Sequence, residues 1–324
     1  MRYVIVGTGN ISNTYVAAFK NLPDSELVGC VSRSGRTPKD APHLECRASL
    51  AEIQTPFDAV IITSPNGLHH ISAIEAASLG KHVLTEKPLD ITVEAMDKMV
   101  AACDAVGVQL AVAFQRRTNP DNVAVKKLLE AGELGRVYAA DLSCRFWRDQ
   151  AYYDSGDYRG GWAIDGGGPF IQQASHNIDN YIWFFGMPSQ VMSQLGTFAH
   201  DMEAEDHGAA LLRHDNGMIG TIVASTCARP GYPARLEVIC EKGTFTMQDD
   251  RIHAWNVNGV PNPASAVAPR PDDGARSAAV ADTSRHEAVI RDFEQAIANG
   301  SKPLADAADG RRATELILRI YGKL

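Results

Sequence analysis

The chain has 324 residues, 45% of them hydrophobic and 22% charged, with a net charge of -8. That length exceeds what one hydrophobic core serves, so two domains are expected, and the acidic balance argues against nucleic acid or an anionic membrane as partner. No apolar run reaches the length of a membrane span, and residues 1–6 lead straight into a strand, so a cytoplasmic protein without a leader is expected.

The first third alternates short apolar runs with helical patterns. Strands are expected over 3–6, 27–31, 59–63, 82–85 and 109–113, with helices over 10–20, 68–79 and 93–105. Continuous apolar strands separated by helices imply a parallel sheet covered on both faces. The first turn reads Gly7-Thr8-Gly9-Asn10-Ile11-Ser12. Its first glycine suits a tight turn and its second lets a pyrophosphate approach backbone N–H groups at a helix start. Gly7, Gly9, Asn10 and Ile11 are therefore candidate dinucleotide ligands. The second strand ends in Ser32-Arg33 where an NAD site usually carries an acid, which favours NADP over NAD. The third strand ends in Ser64-Pro65-Asn66-Gly67-Leu68-His69 and the fourth in Glu86-Lys87-Pro88. Both should face a ligand crevice, because open α/β sheets bind at the carboxyl ends of their strands. Gln115-Arg116-Arg117 closes the last strand.

After residue 118 the rhythm changes. A helix is expected over 119–130 and longer, alternating strands over 137–146, 192–198, 209–214, 220–225, 234–241 and 243–247. Hairpin turns fall at Asp215-Asn216-Gly217 and Glu241-Lys242-Gly243. The fold class is thus α/β: a Rossmann dinucleotide-binding domain over 1–118, then an α+β domain over 119–324 with an open, mostly antiparallel sheet. Residues 256–283 read as a surface loop, followed by helices over 286–298 and 310–321.

Tyr152, Tyr153, Arg159 and Trp162 precede a glycine-rich stretch, Gly166-Gly167-Gly168. Aromatic faces stack on sugar rings, arginine binds hydroxyls or carboxylates, and glycines let backbone approach a ligand. A helix is expected over 170–185, placing Gln172, His176 and Asp179 on one face beside Gln173. Glu203, Glu205, Asp206 and His207 read as a solvated acidic turn rather than a metal site, and the six cysteines lack metal-ligand spacing.

Taken together, Gly7-x-Gly9, Ser64-Pro65-Asn66-x-x-His69, Gly80-Lys81-His82-Val83-Leu84-x-Glu86-Lys87-Pro88, Gln115-Arg116-Arg117 and Gly166-Gly167-Gly168 with His176-x-x-Asp179 resemble the glucose–fructose oxidoreductase, inositol dehydrogenase and rhizopine-catabolism (GFO/IDH/MocA) family. The resemblance spans nearly the whole chain. It implies hydride transfer between nicotinamide and a hydroxyl or keto carbon of a sugar, sugar derivative or inositol. Lys87 would handle the proton, with His176 as acid–base partner or hydrogen-bonding group. Gly7, Gly9, Asn10, Ile11, Ser32, Arg33, Ser64, Pro65, Asn66, His69, Glu86, Lys87, Gln115 and Trp162 would meet the cofactor, NADP or NAD. Lys87, Arg116, Tyr152, Arg159, Gln172, Gln173 and His176 would meet the substrate. One departure stands out: sugar and inositol dehydrogenases of the family carry aspartate four residues before the histidine, and here that residue is Gln172, which takes no proton. Relatives associate as dimers or tetramers through the open face of the second sheet. Others are glycosidases using transient oxidation, or non-catalytic sensors.

Overall fold

Apolar runs flanked by amphipathic helices set the first half of the chain. The computed structural model describes residues 1–266 and 282–324. In chain order it begins with β1 (Arg2–Val6), α1 (Asn10–Phe19), β2 (Glu26–Val31), β3 (Glu45–Arg47), β4 (Ala59–Ile62), α2 (His69–Ser78), β5 (His82–Thr85), α3 (Val93–Val106) and β6 (Leu110–Val112). These six strands form one parallel sheet in the order β3-β2-β1-β4-β5-β6. Order reverses on either side of β1, which opens a crevice at the carboxyl ends of β1 and β4. β4, Ala59-Val60-Ile61-Ile62, is wholly buried, as a strand covered on both faces must be.

The chain continues with α4 (Pro120–Glu130), β7 (Val137–Arg145), α5 (Gln150–Asp154), α6 (Pro169–Gln172), α7 (Ser175–Phe185), β8 (Gln190–Gly196), β9 (His207–Arg213), β10 (Ile219–Ser225), β11 (Arg235–Cys240), β12 (Gly243–Gln248) and β13 (Arg251–Val257). The seven strands are ordered β13-β12-β11-β7-β10-β9-β8; β7 and β10 run parallel and the other neighbours antiparallel. Both expected hairpins are present. Gly217, at φ +84°, turns β9 into β10, and Gly243 pairs with Cys240 across the second turn. The buried-exposed alternation of β9 and β11 shows a sheet with one face covered.

Two helices close the chain, α8 (Ser284–Asn299) and α9 (Ala307–Ile320). The described residues form two compact units: Met1–Gln115 with the later residues through Thr314, and the chain from Arg116 with Glu315–Leu324. A single cut between 118 and 119 therefore differs from the way the chain packs, since it assigns α8 to the second unit. α8 returns to the first unit, where Val289, Ile290 and Phe293 join Tyr3, Ile5, Tyr15, Phe19 and Leu84 in one buried cluster.

Four elements differ from the sequence expectation: β3, α5, β13 and the helix expected over 170–185. β3 is short and polar, and β13 begins before the stretch read as a loop from 256 and ends inside it. The expected helix over 170–185 is two helices, α6 and α7, broken at residues 173–174. That break takes Gln172 off the face it was expected to share with His176 and Asp179. The loop reading for 256–283 lies in large part outside the described residues.

Candidate functional site

β1 and β4 meet at their carboxyl ends through two residues. Gly7 sits at φ +94°, and a Cβ there would lie 2.7 Å from the Ser64 nitrogen, so only glycine allows this approach. Thr63 Oγ1 donates to the carbonyls of Val6 and Gly7 at 3.0 and 2.8 Å, stitching the two strand ends together. Gly9 is different: a Cβ would meet nothing within 4 Å, so its backbone faces open space. Gly9 also caps α1, with no side chain accepting from the helix start, and Asn10 and Ile11 form the first turn. Ser12 donates instead to the Gly9 carbonyl at 2.6 Å. Uncapped N–H groups above an open glycine suit an anionic pyrophosphate. Ser64 Oγ is buried without a hydrogen-bond partner, a polar atom that a ligand would satisfy. These residues fit a dinucleotide.

At the end of β2, Ser32 is buried and Arg33 exposed. Ser32 Oγ receives Thr8 Oγ1 at 3.2 Å and lies 3.1 Å from Ser34 Oγ.

Beyond β5 the chain runs Glu86-Lys87-Pro88, and the Lys87–Pro88 peptide is cis. Glu86 is buried and fixed: Tyr15 donates to its Oε1 at 2.8 Å and the Lys87 N–H to its Oε2 at 3.2 Å. His69 is wholly buried, with Nε2 2.9 Å from the Ser64 carbonyl and Nδ1 2.9 Å from that of Pro88. Burial pushes its pKa down, against the Ser64 carbonyl, Asp90, the Pro88 carbonyl and Glu86. A neutral imidazole has one N–H, so His69 lies between the Ser64-Pro65-Asn66 loop and the Lys87-Pro88 step and donates to one of the two carbonyls. Pro65 and Asn66 are half-buried on that loop, and Gln115 opens the 3-10 turn Gln115–Thr118 after β6.

In the second unit several expected site residues are held by protein partners. Arg116 NH1 pairs with Asp250 at 2.7 Å, which engages the side chain expected at the substrate. Arg117 makes a buried two-pronged pair with Asp179, at 2.8 and 2.7 Å. Asp179 therefore serves the fold rather than an open polar face. Gln172 donates to the Asp165 carbonyl at 2.8 Å and Gln173 to the Tyr152 hydroxyl at 3.1 Å. On α7, Ser175 and Asn177–Ile182 are buried while His176 is partly exposed, although its Nδ1 is buried.

The glycine-rich stretch carries a correction. Its glycines make room for protein. A Cβ on Gly168 would strike the Glu205 carbonyl, and one on Gly167 the Tyr321 ring. Glu205 accepts from the N–H groups of Gly168 and Phe170 at 3.0 and 3.3 Å and from Tyr321 Oη at 2.9 Å. Burial pushes its carboxyl up to about 7, against those three donors. Asp206 is equally buried and accepts from the N–H groups of Phe198, Ala199 and His200. The expected solvated turn is a pair of internal braces, missed because both acids answer to backbone donors outside the turn itself. No group of His, Cys, Asp and Glu suited to a metal occurs among the described residues. Trp162 stands edge-on to Tyr321 at 4.9 Å, with Lys323 Nζ 3.9 Å over its ring.

Comparison with known proteins agrees with this layout. Residues 1–114 match the model of an oxidoreductase family with an NAD-binding Rossmann fold, and residues 122–246 that of the GFO/IDH/MocA C-terminal domain. The NADP(+)-linked scyllo-inositol 2-dehydrogenase IolW of Bacillus subtilis is 28% identical over 248 residues, covering 74% of this chain and 67% of that protein. An NAD(+)-linked scyllo-inositol 2-dehydrogenase of the same organism is 27% identical over 265 residues, covering 78% and 71%. The WlbA dehydrogenase of Bordetella pertussis, solved with NADH and UDP-GlcNAcA, superposes with a TM-score of 0.86 at 31% identity, over 99% of this chain and 95% of that one.

Proposed function

The chain belongs to the GFO/IDH/MocA family of NAD(P)-dependent oxidoreductases acting on hydroxyl groups, and from that premise we propose that it interconverts a hydroxyl and a keto group on a sugar, sugar derivative or inositol, with Lys87 handling the proton. One observation carries the proposal. Lys87 leaves β5 on a Glu86 locked by Tyr15, and His69 is buried between the Pro88 and Ser64 carbonyls, 2.9 Å from each, at the crevice. A lysine so placed meets the ligand that the crevice takes, and the bound nicotinamide supplies the hydride acceptor or donor.

Gly7, Gly9, Asn10, Ile11 and Ser64 would hold the dinucleotide, with Pro65, Asn66, Gln115 and Trp162 as further contacts. Glu86 and His69 act through Lys87 and the Ser64 loop, whose backbone they fix. As an ammonium, Lys87 donates to the reacting oxygen and stabilises it as charge develops; as an amine, it takes the hydroxyl proton. Gln172 can donate and accept but not titrate, so proton handling falls to Lys87 and His176. Ser32 and the exposed Arg33 stand where an acid would select NAD, which supports a preference for NADP; Arg33 forks onto a phosphate. Arg116, Tyr152, Arg159, Gln172, Gln173 and His176 form the substrate side.

The test is a turnover screen of polyols, sugars and sugar acids with NADP and NAD in parallel. A turned-over substrate is expected with a lower KM for NADP. Lys87→Met should lower kcat by roughly 100- to 10,000-fold while dinucleotide affinity stays within a few-fold. Absence of dinucleotide binding would overturn the assignment, and a large preference for NAD the NADP reading.

A further inference from the structure

Residues 155–168 join α5 to α6 without a helix or strand, so no ladder of backbone bonds fixes the ring of Trp162. Its backbone N–H donates to Glu203 Oε2 at 2.9 Å, and the Gly166 N–H closes a turn onto the Gly161 carbonyl at 3.1 Å. Those bonds anchor the backbone but do not choose among the rotamers of the indole. What chooses comes from the residues that follow α9.

α9 ends in a left-handed glycine cap. Gly322 sits at φ +67°, its N–H donates to the Arg319 carbonyl at 3.1 Å, and the Lys323 N–H donates to the Leu318 carbonyl at 2.9 Å. This pair of bonds turns the chain back in one geometry, so the cap itself places Lys323. Tyr321 is placed too. Its hydroxyl donates to the buried Glu205 at 2.9 Å, and its ring lies against Gly167, where a Cβ would strike it. From there Tyr321 meets the indole edge-on at 4.9 Å, with 86° between the ring planes, and Lys323 Nζ stands 3.9 Å from the indole centroid. An ammonium over an indole face is attracted by the ring quadrupole. Burial lowers the Lys323 pKa, and Glu205 and Glu203 oppose that shift, favouring the ammonium. All of these contacts lie within the second unit.

We propose that Tyr321 and Lys323 are positioning residues for ligand binding. The cap of α9 sets the angle of the Trp162 ring, and Lys323 covers a face of the indole, so that a bound ligand meets the ring only on the side that Lys323 leaves. This deepens the reading above and rests on Trp162 as a contact of the dinucleotide.

Calorimetric titration with NADP and with NAD tests it, the tighter of the two being compared across variants. Trp162→Leu should weaken binding by about tenfold. Lys323→Met, which keeps the length of the side chain and removes its charge, should weaken it by about fivefold, and Lys323→Arg should restore it to within about twofold of the native chain. Tyr321→Phe, which keeps the ring and drops the bond to Glu205, should weaken it by about threefold. In the Trp162→Leu background, Lys323→Met should have no further effect, because a positioning residue acts only through the ring it positions. Each variant is titrated below its own thermal unfolding midpoint. Binding by Lys323→Met within about 1.5-fold of native, an arginine variant as weak as the methionine one, or equal losses with and without Trp162 would each overturn the proposal. Unchanged binding by Trp162→Leu overturns it together with the role of Trp162, while dinucleotide binding by the native chain leaves the oxidoreductase reading standing. A native chain that binds neither dinucleotide overturns both.

Discussion

Glu205 shows how one side chain can hold a loop and make it sensitive to pH. Its carboxyl, raised to about 7 in the fold against an ordinary 4.5, is favoured in the protonated form. The folded chain therefore binds a proton that the unfolded chain releases between those values. Stability from this group is present below about 4.5 and is lost as pH rises through about 7, a swing on the order of 3 kcal/mol. Urea unfolding between pH 4.5 and 7.5 should show that decline for the native chain, and Glu205→Gln should flatten it. Such roles divide sharply in legibility. The places of Lys87 and Ser64 beyond β5 and β4 are readable because motif and strand end lie within a few residues of each other. Arg116 and Arg117 are not, since their partners, Asp250 and Asp179, stand 134 and 62 residues away. Beside His69, His70 is half-buried with its Nδ1 2.9 Å from Asp90, a partner 20 residues away.

Elements are legible where periodicity is strong and local. β5 runs over the residues its apolar run marks out, His82–Thr85, and both hairpins fall at their turn residues. The α6–α7 break is invisible in the sequence because apolar spacing continues across it, while Ala174 N bonds back to the Pro169 carbonyl and ends the first helix. β3, with the sequence Glu-Cys-Arg, carries no strand signal of its own and owes its state to pairing with β2. α8 reads as a helix, but nothing in its sequence names the sheet it covers. Phe293 on α8 is fully buried against β1 and α1 residues. Phe293→Ala should cost about 3–5 kcal/mol. Loss of dinucleotide binding on mild heating should accompany it, read by thermal unfolding with and without NADP.

For the molecule as a whole, the uncovered face of the second sheet is the surface that bears on association. Cross-strand register puts Met192, Leu211, Ile219 and Ile239 on one face, exposed by 71, 48, 46 and 46%. Contiguous exposed apolar residues on a sheet mark an interaction surface, and a second copy of the chain is the occupant we propose. Ile219→Arg should then lower the mass measured by sedimentation; an unchanged mass would rule that face out. The return of α8 to the first unit has a consequence for how the protein is made. A ribosome delivers the dinucleotide fold's six strands well before the residues that seal their core, Val289 to Phe293, which emerge only after the whole second sheet. Until then Tyr3, Tyr15 and Phe19 have no lid, so the nascent chain must carry an unsealed apolar surface while the rest of the protein is still being made.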